Sequence, residues 1–583
     1  MTSATLTTTQ DRLNALVEIG ILLSSERDQQ RLVSHILMSG KRLSNCDAAT
    51  LYLVTERKTL RFAVRSRDDK LPAQELPLYD ANGQPNERYV STYAALRKHT
   101  VNIEDVYSET RFDLAGTRSF DAATGYRTVS MVTIPMVRRN GDVVGVLQFM
   151  NAMDPGDGRI VPFANGIVDL LEAMASQAAI SLDVNQLIDE QKELLDALVR
   201  VIALVIDARS PYTGGHCRRV PELSVMLAEA ACAQTSGPLA DFNFETEDEW
   251  REFRTGAWLH DCGKVAVPDH IIDKSTKLEM IYNRIHEIRT RFEVLWRDVE
   301  IRRLERIVAG TDAVLADAEA EEEKRRLRED FEFVAECNIG CDFMGTEKAI
   351  RLREIGERTW RRHFDDRIGI SEDERLRLAA TPPRELPAVE SLLADHPHMV
   401  IPRDQAHMPD PRYGFKMNVP EHIANGGELY NLCVMRGTLT EEERFRINEH
   451  MIHTVITLES LPYPKSMRRV PEFAGTHHET LTGTGYPRRL TEEELSIPAR
   501  IVAIADIFEA LTAVDRPYKK GKPLSESIRI LAGMRDRRHI DADLFDLFLT
   551  SGVYLEYGRR FLHADQIDEV DISLFLHRES GDH

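Results

Sequence analysis

The chain has 583 residues, 42% of them apolar, and a formal net charge of −21 from 95 acidic against 74 basic side chains. It is longer than one hydrophobic core usually serves, so at least two domains are expected. The acidic excess, with no Lys/Arg-rich tract, excludes general binding to a nucleic-acid backbone but allows a small anion held through metal ions. Residues 1–10 show no signal pattern, and no run of about 18 or more uncharged apolar residues offers a membrane span. A cytoplasmic protein is expected.

Over residues 11–42 the apolar side chains Leu13, Leu16, Val17, Ile21, Leu32, Ile36 and Leu37 fall at helical spacing, which predicts one or two amphipathic helices. Residues 48–54 and 59–65 read as strands. So do residues 131–137 and 143–150, which flank Asn140-Gly141, a hairpin signal in which both residues tolerate positive φ. Residues 163–182 return to helical periodicity, completing an α+β sensory-type module. Beyond it, Ile180, Val184, Leu187, Leu194, Leu198, Val201 and Val205 alternate spacings of four and three around Gln191. This heptad seam predicts a parallel dimer through a connecting helix over residues 180–206; packing on the chain itself is the alternative.

The downstream half is helical and carries the chemistry. His216 follows Tyr212-Thr213-Gly214-Gly215. A capping box at Thr246/Glu249 starts a helix with Trp250, Phe253, Ala257 and Trp258, which ends at His260-Asp261-Cys262-Gly263-Lys264. There an imidazole, a carboxylate able to bridge two cations, and an ammonium for phosphate charge sit beside a glycine read as a helix terminator. Thr440/Glu443 starts a further helix carrying His450 and His453, one of the two expected at the surface. His477-His478 precede a loop with Gly483, Gly485, Tyr486 and Pro487, and Asp506 lies in an apolar helical segment, where it needs a cation or a hydrogen-bonding partner. Of seven scattered cysteines, Cys337 and Cys341 stand four apart without a second pair nearby, so buried or indifferent thiols are the default over a zinc site.

The first module, with Tyr126-Arg127-Thr128-Val129-Ser130 before the hairpin and Gly145-Val146-Leu147-Gln148-Phe149-Met150-Asn151 within it, resembles a GAF domain over residues 10–185. The resemblance implies a small-molecule ligand in a pocket over the sheet. The cyclic-nucleotide signature of the family is matched by Asn151, Phe163 and Asp169 but has Ala152 in place of its lysine; a strand end and a core phenylalanine are the competing reading.

His-Asp-x-Gly-Lys at residues 260–264, His477-His478-Glu479, Gly485-Tyr486-Pro487, Ala505-Asp506-Ile507-Phe508-Glu509-Ala510-Leu511 and Asp515-Arg516-Pro517-Tyr518 follow one another in the order of the HD-GYP group of HD phosphohydrolases, which residues 195–575 resemble. That resemblance implies an all-α fold holding two divalent ions, iron or manganese, and hydrolysis of cyclic di-GMP to linear pGpG and on to GMP. It assigns His216, His260, Asp261, His450, His477, His478 and Asp506 as metal ligands, with Asp261 the bridge. Lys264 is placed against the scissile phosphate, Arg516, Lys519 and Lys520 on the other phosphate, and Tyr486 beside substrate. Diguanylate cyclases are the implied protein partners. The chemistry agrees: five imidazoles and two carboxylates suffice for a pair of cations about 3.5–4 Å apart, the arrangement that activates water toward a phosphodiester.

Three departures stand out. Tyr212 occupies the position of a third-metal glutamate, so two ions are expected. Thr482 stands where the family has an aspartate. An insertion at about 280–418 separates the His-Asp segment from the next ligand helix. Residues 289–310, 311–336 and 346–364 read as charged amphipathic helices, and 381–418 as proline-rich irregular chain. The phrases at 267–279 and 419–429 are similar, which predicts that the insertion re-enters near where it left. Its charge runs are read as solvated helix faces, with a docking arm over the active site as the alternative. The competing functions are a non-catalytic cyclic-dinucleotide receptor and a hydrolase of another cyclic dinucleotide.

Overall fold

The computed structural model describes residues 9–66, 75–209, 215–341, 343–514 and 521–576. Two compact units emerge, residues 1–195 and 196–583.

The first unit opens with two helices, α1 (Thr9–Ser25) and α2 (Gln29–Ser44), separated because Asp28 caps α2 by accepting from the Arg31 amide at 2.7 Å. Strands β1 (Cys46–Val54), β2 (Thr59–Arg65) and β3 (Leu76–Pro77) follow, then α3 (Val90–Arg97), β4 (Val101–Ile103), α4 (Ala115–Thr124), β5 (Met131–Val137), β6 (Val143–Met153) and β7 (Ile160–Val161). They form one antiparallel sheet in the order β3-β2-β1-β6-β5-β4, with β7 pairing β6. The β5–β6 hairpin turns at Asn140-Gly141, but only Gly141 adopts positive φ, at 89°. Asn140 contributes through its side chain, whose Oδ1 accepts from the Asp142 amide at 2.9 Å. One sheet face packs on α2 and the start of α5 (Asn165–Arg209) through Leu32, Ile36, Phe149, Met174 and Ala178.

Helix α5 runs unbroken through residue 195, where the units divide. Its seam residues stay exposed, from 41% at Val184 to 63% at Val205. Ala203 and Ile206, off that seam, are buried with Cys217, Leu259 and Leu458 of the second unit.

The second unit continues with α6 (His216–Cys232), α7 (Glu247–Leu259) and the short α8 (Asp269–Ile272). Next come α9 (Ile285–Val308), α10 (Ala313–Asn338), α11 (Thr346–Gly356), β8 (Thr359–Arg362), α12 (Glu372–Ala379), β9 (Ala388–Ser391), β10 (Val400–Pro402), β11 (His422–Asn425) and α13 (Glu428–Leu432). The remainder is α14 (Glu441–Glu459), α15 (Val470–Gly475), α16 (Ile497–Thr512), α17 (Leu524–Asp536), α18 (Ala542–Thr550) and α19 (Val553–Phe561). Its main core joins α6, α7 and α15–α19 through Val220, Phe253, Phe473, Ile504, Phe508, Phe548 and Tyr557.

The stretch 346–418 corrects the sequence reading. The expected helix over 346–364 stops at Gly356, and Thr359–Arg362 instead pairs antiparallel with Ala388–Ser391. The expected irregular chain contains β9 and also β10, which pairs with β11. Charge dominated the periodicity there, and the ladders depend on partners about 20 to 30 residues away. The two similar phrases are bridged by Arg284, which donates to the Leu278 carbonyl at 3.2 Å and to the Gly426 carbonyl.

Candidate metal centre

Seven side chains from five stretches of the second unit converge. His216 opens α6, where Asp207 of α5 accepts from the Gly215 and Cys217 amides and Gly215 takes φ 106°. His260 and Asp261 follow the end of α7, whose capping box at Thr246/Glu249 forms as expected. His450 lies inside α14, His477 and His478 just past α15, and Asp506 inside α16. The ligand atoms of His216, His260 and Asp261 lie within 4.8 Å of one another, and those of His450, His477 and His478 do likewise.

The orientation of the imidazoles follows a common rule. His260, His450 and His477 each donate Nδ1–H to a carbonyl three residues back, of Ala257, Ile447 and Ala474, at 2.8, 2.7 and 2.9 Å. That fixes the tautomer and leaves the Nε2 lone pair facing inward. The Nε2 atoms of His216 and His260 face each other at 3.2 Å. Those of His450 and His477 are buried without a hydrogen-bond partner. His216 Nε2 lies 2.9 Å from Asp261 Oδ2 and 3.3 Å from Asp506 Oδ1, and His450 Nε2 lies 3.5 Å from Asp261 Oδ1. Asp261 therefore reaches both histidine groups, one through each oxygen.

Burial alone would raise both aspartates. Lys264 and His260 outweigh it at Asp261, and the His216 hydrogen bond and neighbouring imidazoles outweigh it at Asp506, so both are held ionised, well below the usual carboxylate range. Burial pushes His450 down to about 4, His477 down to about 3, and His478 well below its ordinary value. Burial also opposes a charge on His216, but Glu509 and the two aspartates overcome it and raise that group well above its ordinary value. Ionised carboxylates facing neutral, inward-aimed lone pairs suit divalent cations, since a buried lone pair without a partner is costly.

Second-row contacts brace the cluster. Glu509, fully buried, accepts from His216 Nδ1–H at 2.5 Å and pairs with Arg219 at 2.6 Å. Burial works against its charge, yet His216 and Arg219 hold it at about 2. Sequence reading missed this residue, although it sits three positions after Asp506 and so on the same helix face. Gly263 lies inside a 3-10 turn over Cys262–Ala266 and does not terminate α7, as the sequence had suggested. A Cβ there would fall 1.9 Å from the His450 carbonyl oxygen, so glycine is required by the close approach to α14. His453 is half-buried and outside both histidine groups.

Lys264 Nζ pairs with Asp261 Oδ2 at 2.5 Å. The Tyr486 ring stacks on His478 at 4.8 Å, and Gly485 lets the loop cross tightly over the His478 carbonyl. Tyr212, Arg516, Lys519 and Lys520 lie outside the described residues. The insertion reaches this loop: the Lys416 amide donates to the Pro487 carbonyl at 2.8 Å, Arg488 Nε to the Tyr413 carbonyl at 2.9 Å, and Arg489 to Asn418 Oδ1 at 2.8 Å. Its charge runs form helix-face pairs such as Arg325 with Glu322 at 2.7 Å. Among the described residues neither Cys337 nor Cys341 enters a metal-type group.

In the first unit a cavity of about 640 Å³ lies over the sheet, lined by Thr50, Tyr52, Phe62, Tyr126 and Gln148 among others. Asn151 is a brace and lines no part of it: its Oδ1 accepts from the Val129 amide, and its Nδ2 donates to Tyr126 Oη and the Arg127 carbonyl. Phe163 is core and Asp169 exposed, so the incomplete cyclic-nucleotide signature marks structural positions.

Comparison with known families and proteins agrees with this architecture. Residues 28–182 match the GAF domain family and residues 387–544 the HD domain family. A 3'3'-cGAMP-specific phosphodiesterase 1 of Vibrio cholerae is 35% identical over 23% of this chain and 28% of that protein. Cyclic di-GMP phosphodiesterases of Pseudomonas aeruginosa and Thermotoga maritima are 43% and 45% identical, over 25% and 20% of this chain and 33% and 28% of theirs. The matched segments thus span a third or less of these relatives. No described helix is long and apolar enough to cross a membrane. The chain is a multidomain protein that carries an α+β GAF domain followed by a helical HD domain.

Proposed function

We propose that the His/Asp cluster is the active site of an HD-GYP-type phosphodiesterase that hydrolyses cyclic di-GMP to linear pGpG. The observation that carries this reading is the set of inward-facing imidazole Nε2 atoms, two of them orphaned in the interior, around two ionised aspartates. His216, His260, Asp261, His450, His477, His478 and Asp506 would hold two divalent ions, with iron or manganese suited to the mixed nitrogen and oxygen donors. Ions bound there would strengthen the attacking water and offset charge on the phosphoryl oxygens.

The chain's own residues do the rest. Asp261 presents one carboxylate oxygen to each histidine group and so ties them together. Lys264, beside it, supplies the ammonium for a scissile phosphate. Tyr486, stacked on His478, places an aromatic ring beside the cluster. In the reaction the water oxygen bonds to phosphorus, the ester bond to the ribose 3′ oxygen breaks, and that oxygen takes a proton. Exposed seam residues on α5 fit a homodimer in which the GAF domain regulates hydrolysis by a small ligand, and diguanylate cyclases would be natural partners. Such a protein works in the cytoplasm of a bacterium.

A second reading keeps the chemistry and changes the substrate to 3'3'-cGAMP, favoured by the Vibrio cholerae relative. Incubating manganese- or iron-loaded protein with each cyclic dinucleotide and separating the products decides. Linear pGpG is expected from cyclic di-GMP. Faster turnover of 3'3'-cGAMP selects the second reading, and tight binding without any linear product overturns both in favour of a receptor.

A further inference from the structure

We infer that the groove between the insertion and the N-terminal end of α14 is a second ligand site, which takes a guanine nucleotide through its phosphate. The groove has a volume of about 760 Å³ and is lined by Arg353, Asp395, Tyr430, Arg436, Glu441 and Arg444. Its size falls in the range of small-molecule sites. The inference does not depend on the reaction proposed for the His/Asp cluster.

Three arginines line the groove. Elsewhere in the insertion Arg291, Arg303, Arg325, Arg358 and Arg362 each hold a carboxylate. Arg353, Arg436 and Arg444 are exposed, and none is in an ion pair among the described residues, although the protein carries a net charge of −21. Arg444 donates to the Arg436 backbone carbonyl at 3.4 Å. Three guanidinium groups without a carboxylate partner among the described residues, lining one groove, suit a phosphate, whose oxygens accept in pairs.

The rest of the lining specifies more than a bare anion. Tyr430 is 37% exposed, and its hydroxyl donates to the Glu442 carboxylate at 3.2 Å, so the ring is held in place at the groove as a stacking surface for a base. Asp395 is occupied by the Tyr430 amide, at 3.1 and 3.2 Å. Glu441 is exposed in the first turn of α14, and a carboxylate there can accept both N1–H and N2–H of guanine. Adenine offers no such pair of adjacent donors. The position also has a consequence: Arg444 and His450 belong to the same helix, so occupancy of the groove bears on an element that holds the cluster.

Calorimetric titration of the full-length protein with GMP, GTP, ATP and inorganic phosphate tests this. GMP and GTP are expected to bind, with ATP and inorganic phosphate weaker. Replacing Arg353, Arg436 and Arg444 together by alanine is expected to weaken GMP binding by about tenfold or more, the loss of one or more charge-assisted contacts. These side chains are exposed, so the variant should keep the wild-type melting curve; Arg436→Glu alone provides the same reading with a smaller change. The His477→Ala/His478→Ala protein is expected to bind GMP as wild type does, which separates the groove from the cluster. No binding of GMP, binding that survives the arginine substitutions, binding lost with the two histidines, or inorganic phosphate or ATP binding as tightly as GMP would overturn the proposal.

Discussion

The cavity over the GAF sheet and the His/Asp cluster of the HD unit both gather polar side chains in the interior, but they settle them differently. In the GAF cavity the buried polar groups satisfy one another: the Tyr52 hydroxyl donates to Gln148 Oε1 at 3.2 Å, and Gln148 Nε2 donates to Thr133 Oγ1 at 3.2 Å. In the cluster, His260, His450 and His477 spend their Nδ1–H groups on backbone carbonyls and leave Nε2 lone pairs turned inward. A folded chain tolerates such an arrangement where a cation completes it. The first site is thus internally satisfied as it stands, whereas the second, on the function proposed above, would be completed by the ions it binds.

That contrast is broken most severely by removing the histidines. The His477→Ala/His478→Ala protein is expected to lose bound metal, read by elemental analysis, and to lose hydrolysis on the order of a thousandfold, while remaining folded. Full activity would refute the ligand assignment. Glu509→Gln tests the next row outward. It keeps the volume but weakens the hold on His216 Nδ1, and metal affinity should fall about 10–100-fold in a competition titration.

Packing around the cluster is probed by Gly263→Ala, whose methyl group meets the His450 carbonyl. The expected cost is about 1–3 kcal/mol in denaturant unfolding, because overpacking displaces α14. On the GAF side Asn151→Ala should cost about 1–2 kcal/mol, since it leaves the half-buried Val129 amide without its acceptor, and it should leave metal affinity unchanged.

The smallest and most graded effect is on pH dependence in the metal-free protein. His450 and His477, lowered to about 4 and 3, stay neutral in the fold while the unfolded chain takes up protons below about 6.5. Stability should therefore fall as pH drops from 6.5 toward 4. His216 is raised, so it acts in the opposite sense, contributing below its ordinary value and losing that contribution as pH rises through its folded value. With His478 also lowered, three groups oppose one, and the unfolding midpoint in chelator should be lower at pH 5 than at pH 7. Metal should widen the difference, because the ligands must be deprotonated to hold it and so bind it less well at pH 5.

Much of this molecule is legible locally. Strand alternation and the hairpin at Gly141 place β1, β2, β5 and β6; capping boxes at Thr246 and Thr440 start α7 and α14; and His-Asp, His-His and the apolar segment around Asp506 supply the cluster's donors. These features depend on residues close in sequence, where hydrogen-bond geometry and helical period act directly. What lies beyond reach is whatever needs a distant partner. The ladder between Thr359–Arg362 and Ala388–Ser391, the close approach that requires Gly263, and the contact of residues 413–418 with the Tyr486 loop are set by chain segments brought together only on folding.

The sequence by itself determined the donors: which residues can ligate, in what order, and on which kind of element, because composition and periodicity are properties of the chain. The tertiary structure alone decided their orientation. The Nδ1 contacts of His260, His450 and His477 are local, but the facing of His216 on His260, the reach of Asp261 to both histidine groups and the hold of Glu509 on His216 span up to 293 residues of chain. Helix packing sets such distances, and a list of donors becomes a site only when packing turns their lone pairs toward one point.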